Sequence, residues 1–318
     1  MVEFGYKLSS EEHGPLDLVR NAKMAEDAGF TFAMISDHYH PWISREGQSP
    51  FVWCTIGGIS QSTTNLKLST GVTCPTIRIH PAIIAQAAAT AASMMPGRFM
   101  LAVGSGENLN EHILGDRWPP APVRIEMLEE AVDIIRLLFE GGTQDYHGVF
   151  YTVENARIYT LPETLPPILV AATGEMAAET SGRIGDGFVT SGADKEALEI
   201  FKVSGGVGKP SYAETSVCFA KDEAQARRTA YQQWPISANK GEMNRELPTP
   251  EHYEQLASMV DEEDVAGKVV CGPDPQRHID NLRKFIDAGF DNICIHQIGK
   301  DQKGFIDFYV KKILPEFQ

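Results

Sequence analysis

Side chains able to carry acid–base chemistry follow an apolar run early in the chain. The run Phe32–Ser36 leads into the polar segment Asp37–Trp42. Within that segment His38 is a candidate general base, because imidazole titrates near neutral pH, and the Trp42 ring is suited to wall off a substrate. A metal site with His38 and His40 as ligands is the alternative, but a third ligand is not evident. We therefore predict proton transfer at position 38 and no metal.

Small residues follow other apolar runs, where a backbone could pass close to a flat ligand. Segment 70–76 reads Thr-Gly-Val-Thr-Cys-Pro-Thr, and segment 104–111 reads Gly-Ser-Gly-Glu-Asn-Leu-Asn-Glu. Glycine permits such an approach, and the second segment adds the carboxylate of Glu107. The small residues 172–174 precede a helix, whose free N–H groups suit a phosphate. Each segment alone also reads as an ordinary loop, and Cys74 as a small buried thiol rather than a nucleophile.

The elements that must position these residues alternate along the whole chain. Nearly continuous apolar runs are typical of strands buried on both faces of a parallel sheet. The eight runs are Phe4–Leu8, Phe32–Ser36, Leu66–Val72, Phe99–Gly104, Ile168–Thr173, Gly187–Ser191, Thr215–Ala220 and Asn292–Gln297. Helical patterns lie between them, such as 15–28 ended by Gly29 and 122–140 ended by Gly141, with proline near the start of each.

Eight strands with intervening helices predict an α/β fold, a (β/α)8 TIM barrel with insertions. An open doubly wound sheet is the alternative, which is weakened because no G-x-G-x-x-G follows the first run. We expect residues 1–318 to form a single barrel domain, with insertions at about 141–167 and 221–291. Insertions of that length often form lids or pocket walls at the carboxyl ends of the strands.

Composition excludes several classes of partner. The 318 residues include 28 Lys and Arg against 43 Asp and Glu, a net charge of −15. Without a basic stripe we expect no nucleic acid partner and no anionic membrane. The five cysteines include no C-x-x-C pair, and neither an export signal nor an apolar run of about 18 residues is evident. These features predict a protein of the reducing cytoplasm.

At these segments the chain resembles the luciferase-like superfamily of flavin and deazaflavin oxidoreductases. It most resembles the subgroup of F420-dependent glucose-6-phosphate dehydrogenases and F420-dependent secondary alcohol dehydrogenases. The resemblance runs almost end to end and is carried by several short motifs. These are Gly5-Tyr6-Lys7 with Glu11, Ser-Asp-His-x-x-Pro-Trp at 36–42, segments 70–76 and 104–111, His80-Pro81-Ala82, Pro96-Gly97-Arg98 and 182–187.

The resemblance implies a cofactor and a role for each matched residue. The cofactor is the deazaflavin coenzyme F420, with FMN as the alternative. His38 takes the substrate hydroxyl proton, Glu107 lies near the pyrimidine edge of the cofactor, and Glu11 and Trp42 line the substrate pocket. A cis peptide bond joins Gly71 to Val72 and forms a bulge behind the ring. The positions around the cofactor are Asp37, Gly71, Val72, Ser105, Gly106, Glu107, Asn110, Ala172, Thr173, Gly174, Thr190 and Ser191.

Departures from the sugar-phosphate enzymes bear on the substrate. Those relatives use two lysines and an arginine, whose places here fall at Ser191, near Asn244 and at Lys268. These replacements weaken the case for a phosphate clamp built from Lys and Arg. We therefore expect a small alcohol or carbonyl substrate rather than glucose 6-phosphate. The family also implies a homodimer, for which the helix Pro81–Met95 offers a packing face. An FMN-dependent monooxygenase and a non-catalytic cofactor carrier are the other functions considered.

Overall fold

Parallel strands wind into a closed barrel in the computed structural model, which describes residues 2–239 and 241–317. The strands are β1 (Glu3–Leu8), β2 (Phe32–Ile35), β3 (Lys67–Thr70), β4 (Phe99–Val103), β5 (Gln144–His147), β6 (Thr152–Ala156), β7 (Ile168–Ala171), β8 (Gly187–Ser191), β9 (Ser211–Cys218), β10 (Val270–Cys271) and β11 (Asn292–Gln297). The barrel order is β1-β2-β3-β4-β7-β8-β9-β11, and β11 pairs with β1. The pairing of β8 with β9 closes the barrel, which confirms the (β/α)8 prediction and excludes the open sheet.

Helices follow the strands around the outside of the barrel, and most begin and end at the expected signals. Helix α1 begins at Pro15, buries Leu18, Ala22 and Ala25, and is followed by Gly29 at φ 90°, a conformation that favours glycine. The helices are α1 (Pro15–Asp27), α2 (Val52–Ser62), α3 (Pro81–Met94), α4 (Asn108–Glu111), α5 (Ala121–Phe139), α6 (Glu175–Ile184), α7 (Lys195–Phe201), α8 (Glu223–Gln233), α9 (Met243–Glu246), α10 (Pro250–Ala257), α11 (Glu262–Ala266), α12 (Pro275–Ala288) and α13 (Gln302–Lys312). None of the helices within the described ranges is long and apolar enough to span a bilayer.

Side chains inside the barrel change from apolar to polar toward the carboxyl ends of the strands. The apolar interior cluster comprises Phe32, Met34, Met100, Ala102, Leu169, Val189, Tyr212 and Cys294. Strand side chains alternate in direction, so a residue two positions further along faces the same side. Lys7, Glu214 and His296 stand two positions beyond inward-facing residues of β1, β9 and β11. The barrel therefore has an apolar floor and a polar mouth.

The first predicted insertion forms a β-hairpin that packs toward the barrel mouth. Strands β5 and β6 pair antiparallel, and the carboxylate of Glu130 on α5 accepts hydrogen bonds from the backbone N–H groups of Val149, Phe150 and Tyr151. The Tyr151 hydroxyl donates to the carbonyl of Thr76 at 2.8 Å. The hairpin is thus fastened to the loop that follows β3.

Strand β9 differs most from its predicted bounds. It begins at Ser211, whereas the apolar run predicted Thr215–Ala220. The first half of the strand contains Glu214, a charged residue that faces the barrel mouth and breaks the apolar pattern on which the prediction rested. The second predicted insertion holds α8 to α12 and β10. The assignment of the whole chain to one domain stays a prediction.

Candidate active site

His38 and Glu11 lie side by side at the barrel mouth. His38 follows β2, Glu11 lies in the turn after β1, and its Oε1 atom is 3.4 Å from His38 Nε2. The other ring nitrogen, Nδ1, lies 3.1 Å from the carbonyl oxygen of His40. Because a carbonyl can only accept, Nδ1 carries the hydrogen in that contact. Nε2 is then the ring nitrogen that can take up or release a proton, with the Glu11 carboxylate beside it.

Glu11 is buried and ionised. Its Oε2 atom accepts hydrogen bonds from the hydroxyls of Ser36 at 2.6 Å and Ser9 at 3.0 Å. Burial acts to raise the pKa of Glu11, but the positive charges of His38 and Lys7 and the Ser36 hydrogen bond lower it to about 2. Such an environment favours the charged form of a carboxyl group. The pair therefore combines a base with a fixed negative charge.

The Trp42 ring packs against the His38 imidazole. The centroids of the two rings are 5.1 Å apart, and the indole also packs edge-on against Tyr253 at 5.3 Å. The backbone N–H groups of Trp42 and Ile43 donate to Oε2 of Glu46 at 2.6 and 3.1 Å. The buried Glu46 side chain thereby fixes the loop that carries Trp42. An apolar wall continues through Ile43, Leu109, Trp234, Ile236, Leu247 and Tyr253.

Asn110 connects the His38 loop to the loop after β4. Its Oδ1 atom accepts hydrogen bonds from the backbone N–H groups of Tyr39 at 2.9 Å and His40 at 3.1 Å. Its Nδ2 atom is buried and has no hydrogen-bond partner among the described residues. Since a buried amide without a partner costs free energy, this atom marks a place for a ligand oxygen.

An ion-pair triad holds the loops of the mouth together. Arg78 donates to Asp37 Oδ1 at 2.9 Å and lies 3.5 Å from Glu111 Oε1. The Thr73 hydroxyl donates to the second oxygen of Asp37 at 2.7 Å. Burial raises the pKa of Glu111 to about 7, against the lowering effect of Arg78. Both carboxylate oxygens of Asp37 accept hydrogen bonds from these side chains, and its place at the cofactor stays a prediction.

Glycines allow the loop after β4 to pack closely on the loop after β3 at one side of the mouth. The Gly71–Val72 peptide bond is cis, which confirms the bond that the resemblance implied. A Cβ atom on Gly104 would stand 2.9 Å from the Val72 side chain, and one on Gly106 would stand 2.5 Å from Cys74 Sγ. Gly106 has φ 78°. Val72, Ser105, Gly106 and Glu107 are half-buried, so these predicted residues remain accessible at the rim.

The predicted cofactor positions at the carboxyl ends of β7 and β8 supply polar groups that can bind a ligand. The Thr190 hydroxyl is buried and lacks a hydrogen-bond partner within residues 2–239 and 241–317. Ala172 is buried, whereas Thr173 and Gly174 are exposed where α6 begins, and no side chain caps that helix. Free N–H groups at a helix start suit an anion. Ser191 is exposed at the end of β8. Together with Asn110, these groups fit a cofactor that has hydrogen-bonding edges and an anionic tail.

The alternative chemistries find less support in the geometry. The Nδ1 atoms of His38 and His40 lie 3.1 and 2.9 Å from the carbonyl oxygens of His40 and Leu109, and among the described residues no group of three or more His, Cys, Asp or Glu side chains is placed to hold a metal ion. Cys74 is buried and contacts the Thr76 hydroxyl at 3.0 Å. Burial raises the pKa of its thiol, which keeps it protonated and unsuited to nucleophilic attack.

Several residues at the mouth were missed by reasoning from the sequence. Lys7 pairs with Glu214 at 2.7 Å. His296 lies against Ser216 at 3.3 Å and packs edge-on against Trp234 at 4.7 Å. The signal that could have found them is a polar residue at an inward position near the carboxyl end of a barrel strand.

Known proteins resemble the chain over its whole length. The profile of the luciferase-like monooxygenase family matches residues 2–292. An F420-dependent glucose-6-phosphate dehydrogenase of Microbacterium testaceum is 34% identical over 330 residues, covering 100% of this chain and 98% of that protein. A second of the same name, from Nakamurella multipartita, is 35% identical over 329 residues, covering 100% and 97%. A solved F420-dependent secondary alcohol dehydrogenase, in complex with an F420-acetone adduct, has 28% identity and a TM-score of 0.92, with 98% of each chain covered.

Proposed function

We propose, from the premise that this chain belongs to the luciferase-like monooxygenase family, that it is an F420-dependent oxidoreductase acting on CH–OH groups. It exchanges a hydride between a small alcohol or carbonyl compound and the deazaflavin, and His38 is the general base. The observation that carries the proposal is the contact of His38 Nε2 with the ionised Glu11 carboxylate at the barrel mouth. The relatives named above as dehydrogenases act on the same class of bond.

The cofactor would rest on the glycine-rich side of the mouth. The half-buried Val72 side chain, packed against Gly104, would support a ring, and the free groups of Asn110 and Thr190 would meet its polar edges. The uncapped start of α6 would hold an anionic part of the tail. When bound, the deazaflavin supplies the two-electron step by accepting or giving up a hydride.

The protein moves the proton. With Nδ1 held by the carbonyl of His40, Nε2 of His38 takes the proton of the substrate hydroxyl as the alcohol is oxidised, and returns it in the reverse direction. The Glu11 carboxylate at 3.4 Å stabilises the imidazolium that forms. Trp42 and Tyr253 exclude water from that face of the imidazole.

The two glutamates then have separate tasks. Glu11 is committed to His38 through its short contact and to two serine hydroxyls. The Glu107 side chain is half-buried and makes no capping hydrogen bond to α4, the helix that follows it. Glu107 is therefore the group available to carry a proton or charge at the cofactor edge. Glu11 thus acts in the substrate pocket beside His38, and Glu107 acts at the edge of the cofactor.

The substrate is a small uncharged molecule. Asn244, near the place of a phosphate-binding lysine, accepts from Asn239 at 2.7 Å and supports a loop. Ser191 and Lys268, at the other two places, are exposed. The Lys7 and Arg78 cations at the mouth lie on carboxylates, and the wall beside His38 is aromatic. These paired cations give an anionic phosphate little electrostatic stabilisation, whereas an alkyl alcohol can pack against the Trp42 ring.

The protein acts as a homodimer. Leu16 on α1, Phe51 before α2 and Ile83 on α3 are exposed by 78%, 53% and 57%, and these neighbouring helices pack on one another. The opposite side of α3 is buried against the barrel through Ile84, Ala85 and Ala88. Apolar side chains exposed on adjacent helices suit an interface between copies. Light scattering after size-exclusion chromatography tests this state.

Titration of the purified protein with F420 and with FMN tests the function. We expect quenching of the F420 fluorescence at micromolar concentrations, no comparable FMN binding, and reduction of bound F420 by short secondary alcohols with higher kcat/KM than by glucose 6-phosphate. Oxygen-dependent turnover with FMN would instead identify a monooxygenase. Tight F420 binding without turnover of any alcohol or carbonyl compound would identify a carrier.

A further inference from the structure

A buried cation joins two strands across the barrel mouth. The Lys7 side chain on β1 is 9% exposed. Its Nζ atom donates to the carbonyl oxygen of Gly71 at 2.9 Å and to Oε2 of Glu214 at 2.7 Å. The strands that pair with β1 are β2 and β11, so Lys7 reaches past both neighbours, to the loop after β3 on one side and to β9 on the other. Such a bridge must cross the interior of the mouth.

Lys7 donates a hydrogen bond to the Gly71 carbonyl, whereas the backbone N–H groups of the same loop donate to neighbouring strands. The Gly71 N–H donates to the carbonyl of Ile35, and the Thr73 N–H donates to the carbonyl of Ala102. Those bonds fasten the loop to β2 and β4, whereas the Gly71 carbonyl points into the barrel toward Lys7. A Cβ atom on Gly71 would lie 3.4 Å from Lys7 Nζ and 3.0 Å from the Met34 side chain. Glycine thus gives the ammonium group room to reach the backbone.

Glu214 keeps Lys7 charged and oriented. Burial acts to lower the pKa of Lys7, but the neighbouring carboxylate of Glu214 outweighs it and raises that pKa. Placing an ion pair inside a barrel gains little stability over apolar side chains of similar volume. The pair is better explained by the carbonyl that it holds, because the next residue, Val72, forms the surface on which the cofactor ring would rest.

We propose that Lys7 is a positioning residue that fixes the 71–72 loop for cofactor binding through its hydrogen bond to the Gly71 carbonyl, with Glu214 as the residue that orients it. This inference rests on the proposed use of F420. Lys7 donates no proton to the substrate in this scheme. Lys7 affects the affinity for the cofactor and the surroundings of the bound cofactor ring.

The test compares variants of the full chain. Lys7→Met removes the bond to Gly71 but leaves the Glu214 carboxylate unpaired, so the double variant Lys7→Met/Glu214→Met removes both charges. Glu214→Gln retains an oxygen that can accept from Lys7. Arg98→Met is the matched control, because Arg98 donates to the carbonyl oxygens of Leu66 and Thr63 at the opposite end of the barrel.

We expect Lys7→Met and the double variant to bind F420 about tenfold more weakly in fluorescence titrations. Both lose the charged hydrogen bond that Lys7 donates to the Gly71 carbonyl. KM for F420 should rise, KM for the alcohol should change by less than about twofold, and the absorption spectrum of bound F420 should shift. Glu214→Gln should lose less than about threefold in affinity, and Arg98→Met should lose thermal stability without a loss of affinity.

A folded double variant that binds F420 with unchanged affinity, spectrum and KM would overturn the role of Lys7 and leave the proposed function intact. A wild-type protein that fails to bind F420 would overturn both. Equal losses of affinity in Arg98→Met and Lys7→Met would also overturn the proposal, because they would trace the effect to general destabilisation. Circular dichroism and thermal melts of every variant separate loss of fold from loss of affinity.

Discussion

The imidazole of His38, in the loop after β2, lies with its Nε2 atom 3.4 Å from Oε1 of Glu11, in the turn after the neighbouring strand β1. The opposite edge of the ring is anchored by the His40 carbonyl. A base oriented on one side and faced by a fixed carboxylate on the other has the layout of a proton-transfer pair. The proposed chemistry follows from that relationship.

Removal of the imidazole should abolish proton transfer and spare cofactor binding. We expect His38→Ala to lower kcat for alcohol oxidation by about 10²–10⁴, the range for a lost general base, with F420 affinity changed by less than about threefold. His147→Ala, which removes an exposed histidine from the β5–β6 hairpin, is the control and should behave as wild type. Near-normal turnover in His38→Ala would remove this residue from the mechanism.

Removal of the charge on Glu11 should slow the same step. In Glu11→Gln the imidazolium loses its counter-charge, and because an opposite charge at this distance is worth about 1–3 pKa units, we expect roughly a 10- to 1,000-fold fall in kcat. Because the folded pKa of Glu11 is about 2, the stability that its charge contributes is present above pH about 4.5 and is lost as the pH falls toward 2. The difference in unfolding free energy between Glu11→Gln and wild type should shrink over that window. A pH-independent difference would contradict the assignment.

Glu12 should show the opposite dependence. Burial raises the pKa of Glu12 to about 8, although the hydrogen bond from the Gly299 N–H acts to lower it. The folded chain therefore retains a proton that the unfolded chain releases above pH about 4.5, so stability is lost as the pH rises toward 8. Glu12→Gln keeps an acceptor for Gly299, and we expect it to gain on wild type by about 4 kcal/mol between pH 4 and pH 8, at about 1.4 kcal/mol per pKa unit. Denaturant unfolding at both pH values checks this, with exposed Glu199→Gln as the control.

The unpaired hydroxyl of Thr190 should matter for the cofactor alone. Thr190→Val keeps the shape of the side chain and removes an oxygen that has no partner among the described residues. We expect F420 affinity to fall about fivefold, which corresponds to about 1 kcal/mol for one hydrogen bond, and the melting temperature to stay or rise. Thr90→Val, on the exposed side of α3, should change neither quantity. A Thr190→Val protein with wild-type affinity would place the cofactor elsewhere.

The position of His38 could be predicted from the sequence because it lies three residues beyond β2, a strand that is apolar throughout. Its contact with Glu11 could not, since a 3.4 Å distance between residues 27 positions apart depends on how β1 and β2 are aligned. Lys7 and Glu214 were missed for a different reason. Strand prediction relied on continuous apolar runs, and an ion pair inside a barrel interrupts that pattern at both positions. The same interruption displaced the predicted start of β9 from Ser211 to Thr215.

The most direct test is a single turnover of the F420-loaded protein with a secondary alcohol that carries deuterium on its carbinol carbon. We predict that one deuterium appears in the reduced F420, that the step is slower than with the ordinary alcohol, and that His38→Ala loses the reaction while still binding F420. Reduced F420 without substrate deuterium, or unimpaired transfer in His38→Ala, would contradict a direct hydride exchange at this imidazole.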